Sequence, residues 1–556
     1  ASVLLALVMA LSLMVPALAA ETEGEVLPPT EQDGETTQET ANIIVPTMEN
    51  HTFVAYQIFN GTQAKSTEDD GPLADITWGS GINGDAFLTA LKTSDKFGTE
   101  NPFASATTPT EVAAALEGQE DNSAVAIAFA NIAVEHTKGE GVTLNQGPGV
   151  KNGVPVGYYL IVDTTKDIGE NDARNAVLLQ LTKDVEVQVK VDVPKVEKKV
   201  EENREDAGFG DAADYAVGDK VPYKFTSAVP DMKQYETYKY EFHDKMAEGL
   251  DFNNDVVVTI GGKTIDTQYY EVLVADQEKK LTDDCTFEIK FADLKTIPDV
   301  KKGQEVVITF TATLNSKAVV GNAGNKNEVQ LKFSNNPSES GDGDPAEGET
   351  PKDEVLVFTY ELDTTKVDAQ NPEMTLKDAE FHLSRVVKNE DGEDVTVWAV
   401  VNSDGKITDW VEAVDGNEGY VAEGAEENLN GMAYAGSTLK SNAEGLFVVK
   451  GLDNGTYNLL ETKAPAGYNT PKDPFVVTIT STLSADGKKP EVESLTIQIG
   501  KDNPADGNKD TGIVNGIITN GKGATLPETG GIGTTIFYVV GGLLTVGAVV
   551  LLVTKK

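Results

Sequence analysis

The segment that decides the fold is Tyr457-Asn-Leu-Leu-Glu461-Thr-Lys-Ala-Pro-Ala-Gly-Tyr468. Side chains two positions apart on a β-strand share a face, so Tyr457, Leu459 and Glu461 point the same way. This pattern predicts a strand that carries one carboxyl group into the apolar core of a β-domain. Because an ionised carboxylate is costly to bury, we expect desolvation to raise the pKa of Glu461 towards the neutral acid.

Two other polar side chains in this region fall on apolar strand faces. Lys366 is in phase with Tyr360 and Leu362, and Asn520 is in phase with Ile518. The alternation therefore predicts that both side chains point into the core. Burial of a charged lysine is costly for the same reason as burial of a carboxylate, so we expect the pKa of Lys366 to be lowered.

The quoted segment resembles the E-box, YxLxETxAPxGY, of the Cna B-type domains found in pilins and surface adhesins, and it meets every fixed position. The resemblance implies that a first-strand lysine and a last-strand asparagine, here Lys366 and Asn520, condense to an isopeptide bond beside an acid, Glu461. A neutral amine would attack the amide carbon while the protonated carboxyl shuttles protons to the departing ammonia. The alternative is a buried ion pair solvated by the asparagine.

An analogous set with a weaker motif lies upstream. Asp244 and Asn327 are in phase with apolar strand residues, and Lys198 shares a face with Val200, which favours it over the adjacent Lys199. The alternative for each is a solvated strand end. Two stretches around these residues resemble the middle domains of backbone pilins, which use an Asp in place of the Glu: 242–250 and 327–335.

Composition narrows the classes of function. The 556 residues suffice for about three domains, and 45 Lys+Arg against 90 Asp+Glu give a net charge of -45, which repels nucleic acid. Cys285 is the only cysteine, so no intramolecular disulfide can form. We find no catalytic triad, no metal-binding spacing among the histidines and no calcium loop at 342–344, and so predict no cofactor, no metal and no hydrolase.

Both ends carry targeting signals. Residues 4–15 form a short apolar core closed by Ala17-Leu18-Ala19, which predicts a truncated signal peptide over 1–19. Residues 532–553 are uncharged, long enough to cross about 30 Å of hydrocarbon, and followed by Lys555 and Lys556. These features predict an exported protein with a membrane-bound precursor.

The pentapeptide before the apolar run resembles the LPxTG sorting signal of Gram-positive surface proteins. The resemblance implies that a sortase cysteine attacks the Thr529-Gly530 bond and passes the threonyl acyl group to an amine. An ordinary single-span membrane protein is the alternative. The five residues of the signal are Leu526, Pro527, Glu528, Thr529 and Gly530.

A candidate acceptor amine follows the first domain. Alternating valines run from 185 to 193 and end at Pro194-Lys195, where proline stops the strand at a domain junction. The Pro-Lys core and its position resemble the pilin motif W/YxxxVxVYPK, whose lysine joins the next subunit; the Trp/Tyr is absent, and Val193 replaces the second Tyr. We therefore predict Lys195 as the intersubunit lysine, with Lys190 or an ordinary surface lysine as alternatives.

The sequence predicts a mainly β fold of three tandem immunoglobulin-like or Cna-type β-sandwich domains, the first with helical insertions, plus a C-terminal transmembrane helix. Its segments are a disordered leader over 20–41, an N-terminal pilin domain over 42–190, a middle isopeptide-forming β-sandwich over 191–336, a linker over 337–353, a Cna B-type domain over 354–523 and the anchor over 526–556.

These features together predict a structural shaft subunit of a covalent cell-surface pilus, with no enzymatic activity beyond autocatalytic bond formation. The implied partners are pilin-type and housekeeping sortases, identical subunits, minor pilins and peptidoglycan. The alternative is a monomeric wall-anchored adhesin whose first domain binds a host or cell-surface ligand. The sequence does not identify such a ligand.

Overall fold

The structure is a computed structural model that describes residues 39–522 with internal gaps at 64–71, 120–122, 166–171, 175, 188–192, 205–206, 276–280, 282, 338–339, 341–345, 390, 413–435 and 485–486. The predicted signal peptide, sorting motif 526–530, transmembrane helix and Lys190 lie outside the described residues. Within them, no helix has the length and apolar character needed to cross a bilayer.

The first structural unit combines β-strands with three α-helices. Its elements are β1 Thr40–Ile44, β2 Phe53–Gln63, β3 Leu73–Trp78, α1 Gly84–Thr93, a 3-10 turn Asp95–Phe97, α2 Pro109–Leu116, α3 Ala124–Glu135, β4 Val142–Thr143, β5 Asn152–Pro155, β6 Gly157–Asp163, β7 Ala176–Leu181 and β8 Val185–Glu186. Strand β1 begins inside the last two residues of the predicted leader. The helical insertions expected in this unit are confirmed.

A five-stranded sheet lies at the centre of this unit, in the order β3-β2-β6-β7 with β4 on β2. One face packs on the helices through buried residues such as Phe87, Phe129 and Leu160. The other face packs on a small sheet, β5-β1-β8, through Ile43 and Ile161. Both faces of the central sheet are therefore apolar, which explains its nearly continuous apolar strands.

The second unit is a β-sandwich. Its strands are β9 Glu197–Glu202, β10 Gly208–Gly210, β11 Ala212–Asp214, β12 Lys220–Ala228, β13 Tyr240–Met246, β14 Leu250–Phe252, β15 Val257–Ile260, β16 Lys263–Thr264, β17 Tyr270–Val274, β18 Phe287–Phe291, β19 Glu305–Leu314, β20 Asn325–Ser334, β21 Glu347–Glu349 and β22 Asp353–Phe358, with 3-10 turns Thr267–Tyr269 and Leu294–Thr296. Sheet I has the order β10-β9-β12-β19-β15-β16, with β14 on β19. Sheet II has the order β11-β22-β20-β13-β18-β17, with β21 on β20.

The predicted boundary between the second and third domains does not match the positions of β21 and β22, the last two strands of sheet II along the chain. Strand β22 pairs with β20, so that Asn327 lies opposite Val355, and Val355 and Val357 are fully buried. Strand β21, predicted as part of a linker over 337–353, and strand β22, most of which was predicted as the start of the third domain at 354, therefore complete the second unit. The sequence pattern does not show this boundary, because residues 355–360 are all apolar except Thr359. No break in the pattern therefore separates β22 from the next strand.

The third unit is a second sandwich. Its strands are β23 Tyr360–Asp368, β24 Glu380–Lys388, β25 Asp394–Val401, β26 Ile407–Glu412, β27 Leu439–Lys440, β28 Leu446–Leu452, β29 Gly455–Lys463, β30 Phe475–Leu483, β31 Val492–Ile499, β32 Ala505–Asp506 and β33 Ile513–Asn520. Sheet III has the order β28-β23-β33. Sheet IV has the order β26-β25-β24-β29-β30-β31-β32, with β27 on β24.

First and last strands of the third unit are parallel neighbours in sheet III, with Lys366 opposite Ile518 and Asp368 opposite Asn520. Lys366 and Asn520 therefore lie on the same sheet face, one step apart along it. The mainly β fold predicted from the sequence is confirmed.

The second and third units meet through direct contacts. Arg385 on β24 forms an ion pair with Asp219, and its guanidinium carbon lies 4.2 Å from the centre of the Trp410 ring. The Trp410 indole N–H donates to the Val217 carbonyl at 2.9 Å. Thr359 at the strand junction is fully buried and donates through Oγ1 to the Leu452 carbonyl at 2.9 Å.

Three buried carboxyl groups also gather at this junction. Asp214 accepts hydrogen bonds from the Tyr360 hydroxyl at 2.7 Å and from Arg204 at 3.2 Å. Glu202 accepts from the Asp214 backbone N–H at 2.9 Å. Burial, reinforced by the neighbouring Asp214 carboxylate, raises the pKa of both Glu202 and Asp453. Burial at the junction therefore favours the protonated forms of Glu202 and Asp453.

We expect the Asp453→Asn variant to be more stable than the parent chain at pH 7, with the difference shrinking as the pH falls. A carboxyl whose pKa is raised by folding contributes stability that is complete below its unfolded pKa and lost as the pH rises through its folded pKa. Asparagine is neutral at every pH and keeps the size of the side chain and one of its two acceptor oxygens. Thermal unfolding midpoints of residues 39–522 at pH 7 and pH 5 measure the effect.

The exposed Asp502 supplies the matched control, because Asp502→Asn removes an acid from solvent. Its midpoint should follow that of the parent chain at both pH values. A destabilised Asp453→Asn chain at pH 7, or a difference independent of pH, would contradict the expectation.

Candidate functional site

In the third unit, the structure brings together the three polar residues singled out by strand parity. Lys366 comes from β23 and Asn520 from the end of β33, while Glu461 comes from β29 in the facing sheet IV. Their exposed fractions are 0%, 2% and 2%. All three side chains therefore lie between the sheets, inside the core of the sandwich.

These side chains form a closed hydrogen-bonded triangle. The Lys366 Nζ lies 2.5 Å from Asn520 Oδ1 and 3.0 Å from Glu461 Oε2. The Asn520 Nδ2 donates to Glu461 Oε1 at 2.7 Å. The carboxyl group thus bridges the amine and the amide nitrogen, with one oxygen on each.

An apolar environment surrounds the triangle. The centres of the Phe381 and Phe475 rings lie 5.2 and 4.9 Å from Lys366 Nζ. Burial lowers the pKa of Lys366, although the Glu461 carboxylate partly opposes that shift. Burial likewise raises the pKa of Glu461, against the opposing effect of Lys366. Both shifts favour the neutral forms of the two groups.

The arrangement can condense the amine with the amide. A bond from Lys366 Nζ to the Asn520 amide carbon would form while the bond from that carbon to Nδ2 breaks. Glu461 can accept a proton through Oε2 and return one to Nδ2 through Oε1, so that the nitrogen leaves as ammonia. The geometry places a donor, an acceptor and a proton carrier at hydrogen-bond distances.

The second unit contains a related set that is built differently. Lys198 lies on β9 of sheet I, whereas Asp244 and Asn327 lie on β13 and β20 of sheet II. All three residues are fully buried. Lys198 Nζ forms an ion pair with Asp244 Oδ2. The lysine thus reaches across the sandwich, whereas Lys366 and Asn520 are neighbours within one sheet.

Asn327 stands out within this core. Neither its side-chain oxygen nor its nitrogen makes a hydrogen bond of full geometry among the described residues, although the amide interacts with the Tyr223 hydroxyl. Asp244 Oδ1 has no hydrogen-bond partner among these residues. Buried polar atoms without partners cost roughly 1–3 kcal/mol each. Condensation with Lys198 would convert the Asn327 amide into part of a covalent crosslink.

The electrostatics of this set resemble those of the third unit. Burial lowers the pKa of Lys198 to about 8 and raises that of Asp244 to about 6, in each case against the opposing charge of the partner. The nearest of three aromatic rings around Lys198 Nζ is Phe225, at 4.9 Å from Nζ to the ring centre. Lys199 points elsewhere, because its Nζ binds Asp211 at 2.8 Å.

We expect Asp244→Asn to stop condensation in the second unit while leaving the third unit unaffected. The variant keeps the size of the side chain and removes the carboxyl needed to move protons. Each condensation releases one ammonia, about 17 Da. The parent chain should therefore weigh about 34 Da less than its sequence mass, and Asp244→Asn about 17 Da less than its own.

Intact mass spectrometry of residues 39–522 makes the comparison. Asp251 is an exposed acid in the same unit, so Asp251→Asn should retain both mass losses. An Asp244→Asn chain that loses as much mass as the parent would rule out the role of this acid.

Lys195 lies in the connection that enters β9. Its side chain is exposed and has no ion-pair partner within the described part of the chain. The adjacent Pro194 is buried, and the Lys195 carbonyl accepts from Ser227 Oγ at 2.5 Å. The backbone is therefore held in place while the amine remains in solvent.

An open cleft of about 990 Å³ surrounds this lysine. Its walls include the β21–β22 connection at Pro351 and Lys352, and a loop of the third unit at Lys488 and Pro490. Sequence reasoning missed these walls, and the rings around the buried lysines, because only tertiary pairing brings them together. Alternation in β30 marks Phe475 as an apolar-face residue, but no local signal places it beside Lys366.

Three family models match separate parts of the chain. Residues 217–337 match the model described as Gram-positive pilin backbone subunit 2, Cna-B-like domain. Residues 361–491 match the SpaA model, described as a Prealbumin-like fold domain. Residues 518–556 match the LPXTG cell wall anchor motif. The two domain matches contain Asp244, Asn327, Lys366 and Glu461, and the anchor match contains Asn520.

A curated relative is the Trypsin-resistant surface T6 protein of Streptococcus pyogenes serotype M6. It is 23% identical over 429 residues, which cover 66% of this chain and 69% of the relative.

Solved structures of pilins are also similar. The T6 backbone pilin of serotype M6 Streptococcus pyogenes matches with 16% identity over 88% of this chain and 100% of that chain, at a TM-score of 0.47. The full-length major pilin SpaD of Corynebacterium diphtheriae matches with 16% identity over 88% and 99%, at a TM-score of 0.44. A C-terminal fragment of the major pilin GBS80 of Streptococcus agalactiae matches with 26% identity over 52% and 91%, at a TM-score of 0.36.

Proposed function

We propose that this chain, a Gram-positive backbone pilin with Cna-B-type domains and an LPXTG cell wall anchor, forms the shaft of a covalent pilus by sortase-catalysed polymerisation. The protein belongs at the cell surface, anchored to the cell wall. Its partners are sortase and other pilin subunits. The domain families that it matches are structural modules, and we assign the chain a structural role as the repeating subunit of the fibre.

One observation carries the proposal: an exposed amine and a sorting signal occur on the same chain. Lys195 presents an exposed side chain, without an ion-pair partner among the described residues, in an open cleft. Thr529 would supply the acyl group after cleavage before Gly530. Each subunit then has one donor and one acceptor. Head-to-tail joining of such subunits gives an open linear polymer, as heterologous contacts do when they do not close into a ring.

Internal bonds are the second part of the proposal. The two buried sets, Lys198 with Asn327 and Lys366 with Asn520, would each crosslink strands that are far apart in sequence. The triangle at Glu461 supports the bond in the third unit through its three short contacts. The ion pair between Lys198 and Asp244 and the complete burial of the Asn327 amide support the bond in the second unit. Such bonds replace disulfides in a chain with one cysteine.

Expression of the full chain in a Gram-positive host beside a pilin-type sortase tests the polymer. Cell-wall extracts on a denaturing gel should show a ladder of covalent species, and Thr529→Ala should reduce the ladder to monomer. A single band from the parent chain would overturn the shaft assignment and favour the monomeric adhesin. Peptide mass spectrometry of the ladder should identify a Thr529 to Lys195 linkage, with partner sites on minor pilins and peptidoglycan found in the same way.

A further inference from the structure

Four side chains with different metal-binding atoms converge on the face of sheet II that points away from the core. His243 on β13 lies directly opposite Glu288 on β18 in the antiparallel register. Asp283 and Cys285 lie just before β18. Because successive strand residues alternate, His243 faces away from the core that contains Asp244. The cluster is therefore separate from the proposed crosslink.

The distances within the cluster suit a single small ion. His243 Nδ1 lies 2.6 Å from Asp283 Oδ2, 3.6 Å from Glu288 Oε1 and 4.0 Å from Cys285 Sγ. Cys285 Sγ lies 3.6 Å from Glu288 Oε1. All four ligand atoms lie within 4.8 Å of one another. Tetrahedral zinc, with bonds of about 2.0 to 2.3 Å, separates its ligand atoms by roughly 3.3 to 3.7 Å.

The surroundings also suit a bound cation. His243, Cys285 and Glu288 are only 5%, 5% and 1% exposed. His243 Nε2 lies 3.6 Å from Glu241 Oε2, and a carboxylate in this position can orient a metal-bound imidazole. Lys290 binds Glu288 through the other oxygen, Oε2, at 2.8 Å, which leaves Oε1 for the ion.

One more lysine bears on the charge balance. Lys332 Nζ lies 3.6 Å from Asp283 Oδ2 and 3.3 Å from Glu349 Oε1. If an ion bound at the cluster, Asp283 would pair with the ion and Lys332 would remain paired with Glu349. Both Asp283 and Lys332 would therefore keep a partner of opposite charge.

We propose that His243, Asp283, Cys285 and Glu288 bind one divalent transition-metal ion of the zinc type. The mixture of nitrogen, sulfur and oxygen donors suits zinc and disfavours calcium and magnesium, which prefer oxygen alone. Binding exchanges the Cys285 thiol proton, released to solvent, for a sulfur–metal bond. The ion would fasten the segment before β18 to sheet II. This site does not depend on the proposed polymerisation.

Local sequence spacing does not reveal the cluster, which is why the sequence predicts no metal. His243 and Cys285 are 42 positions apart, and no short motif links them. The register between β13 and β18 places His243 opposite Glu288, and the turn before β18 places Asp283 and Cys285 beside them.

Metal binding to the full chain, solubilised in detergent, reduced and freed of metal, tests the proposal. Titration with Zn²⁺ against a chromophoric chelator should show one equivalent bound per chain. Titration with Co²⁺ should give visible bands of a tetrahedral ion and a near-ultraviolet thiolate charge-transfer band. Cys285→Ser should abolish the charge-transfer band, and Asp283→Asn should weaken Zn²⁺ binding roughly 10- to 100-fold.

Asp284 offers a matched control one residue away. It is exposed, and its backbone φ of 56° is one that asparagine adopts readily, so Asp284→Asn should bind Zn²⁺ like the parent chain. The proposal is overturned if the parent chain shows no saturable binding, or if Cys285→Ser and Asp283→Asn bind as it does. Should Cys285→Ser fail to fold, the half-exposed Asp283 decides the question alone.

Discussion

The Glu461→Gln variant is expected to fold with Lys366 and Asn520 unjoined and to unfold at a much lower temperature than the parent chain. Glutamine keeps the volume of the buried side chain and one of its two acceptor oxygens. It has no carboxyl proton to exchange between the amine and the departing ammonia. The chain should therefore weigh about 17 Da more, relative to its sequence mass, than the parent does.

The loss of stability follows from the size of the loop that the crosslink closes. Lys366 and Asn520 are 154 positions apart. By the chain-entropy relation for crosslinks, closing such a loop stabilises the folded unit by about 5 kcal/mol. For a unit of this size, that difference corresponds to roughly 10–20 °C in the unfolding midpoint. Calorimetry of residues 39–522 beside intact mass measures both quantities on one sample.

Glu361 gives the matched control for this experiment. It is a partly buried carboxyl on the same strand as Lys366 but outside the triangle, so Glu361→Gln should retain the full mass loss. If Glu461→Gln lost as much mass as the parent chain, the carboxyl would have no part in the reaction. If Asn520→Ala also retained the loss, Asn520 would not be the acyl donor.

The Lys195→Ala variant should leave the chain anchored but monomeric. Without the Lys195 amine as acceptor, the acyl group from Thr529 can pass only to the cell wall. We expect the ladder on a denaturing gel to collapse to a single wall-linked species. The fold should be unchanged, because the exposed Lys195 side chain makes no ion pair with the described residues.

Four other lysines line the same cleft, and two of them, Lys352 and Lys488, test whether the position of the amine or only its positive charge matters. Lys352→Ala and Lys488→Ala each remove one positive charge from the walls and should leave the ladder intact. Lys195→Arg, which retains the charge but has no primary amine, should behave like Lys195→Ala. A ladder that persists in Lys195→Ala would shift the assignment to another lysine, with Lys190 the next to be replaced.

Strand parity anticipated much of the candidate sites because alternation is a local property. It placed Lys366, Glu461 and Asn520 on apolar faces, and the structure buries all three in one core. The same reasoning separated Lys198, which is buried, from Lys199, which pairs with Asp211. The helical insertions of the first unit could also be predicted, because helical periodicity and the capping residues of α2 are features of the local sequence.

Features that depend on pairing between distant strands escaped prediction. The local sequence pattern could not show that β22 completes sheet II, because the apolar residues of β22 continue into β23 with only Thr359 between the two strands. Nor could it show that His243 faces Glu288, since that contact depends on the register of β13 and β18. The cleft around Lys195 likewise needs two connections from elsewhere in the chain.

The direct passage from β22 to β23 has a mechanical consequence. A pull applied between Lys195 and Thr529 would enter β9, cross to β20 through a Lys198–Asn327 bond, and follow the chain through β22 and β23 to Lys366. From there it would leave through Asn520. The applied force would then bypass residues 199–326 and 367–519, which lie between the crosslinked residues of each unit. A fibre built this way would resist extension even while its sandwiches loosened.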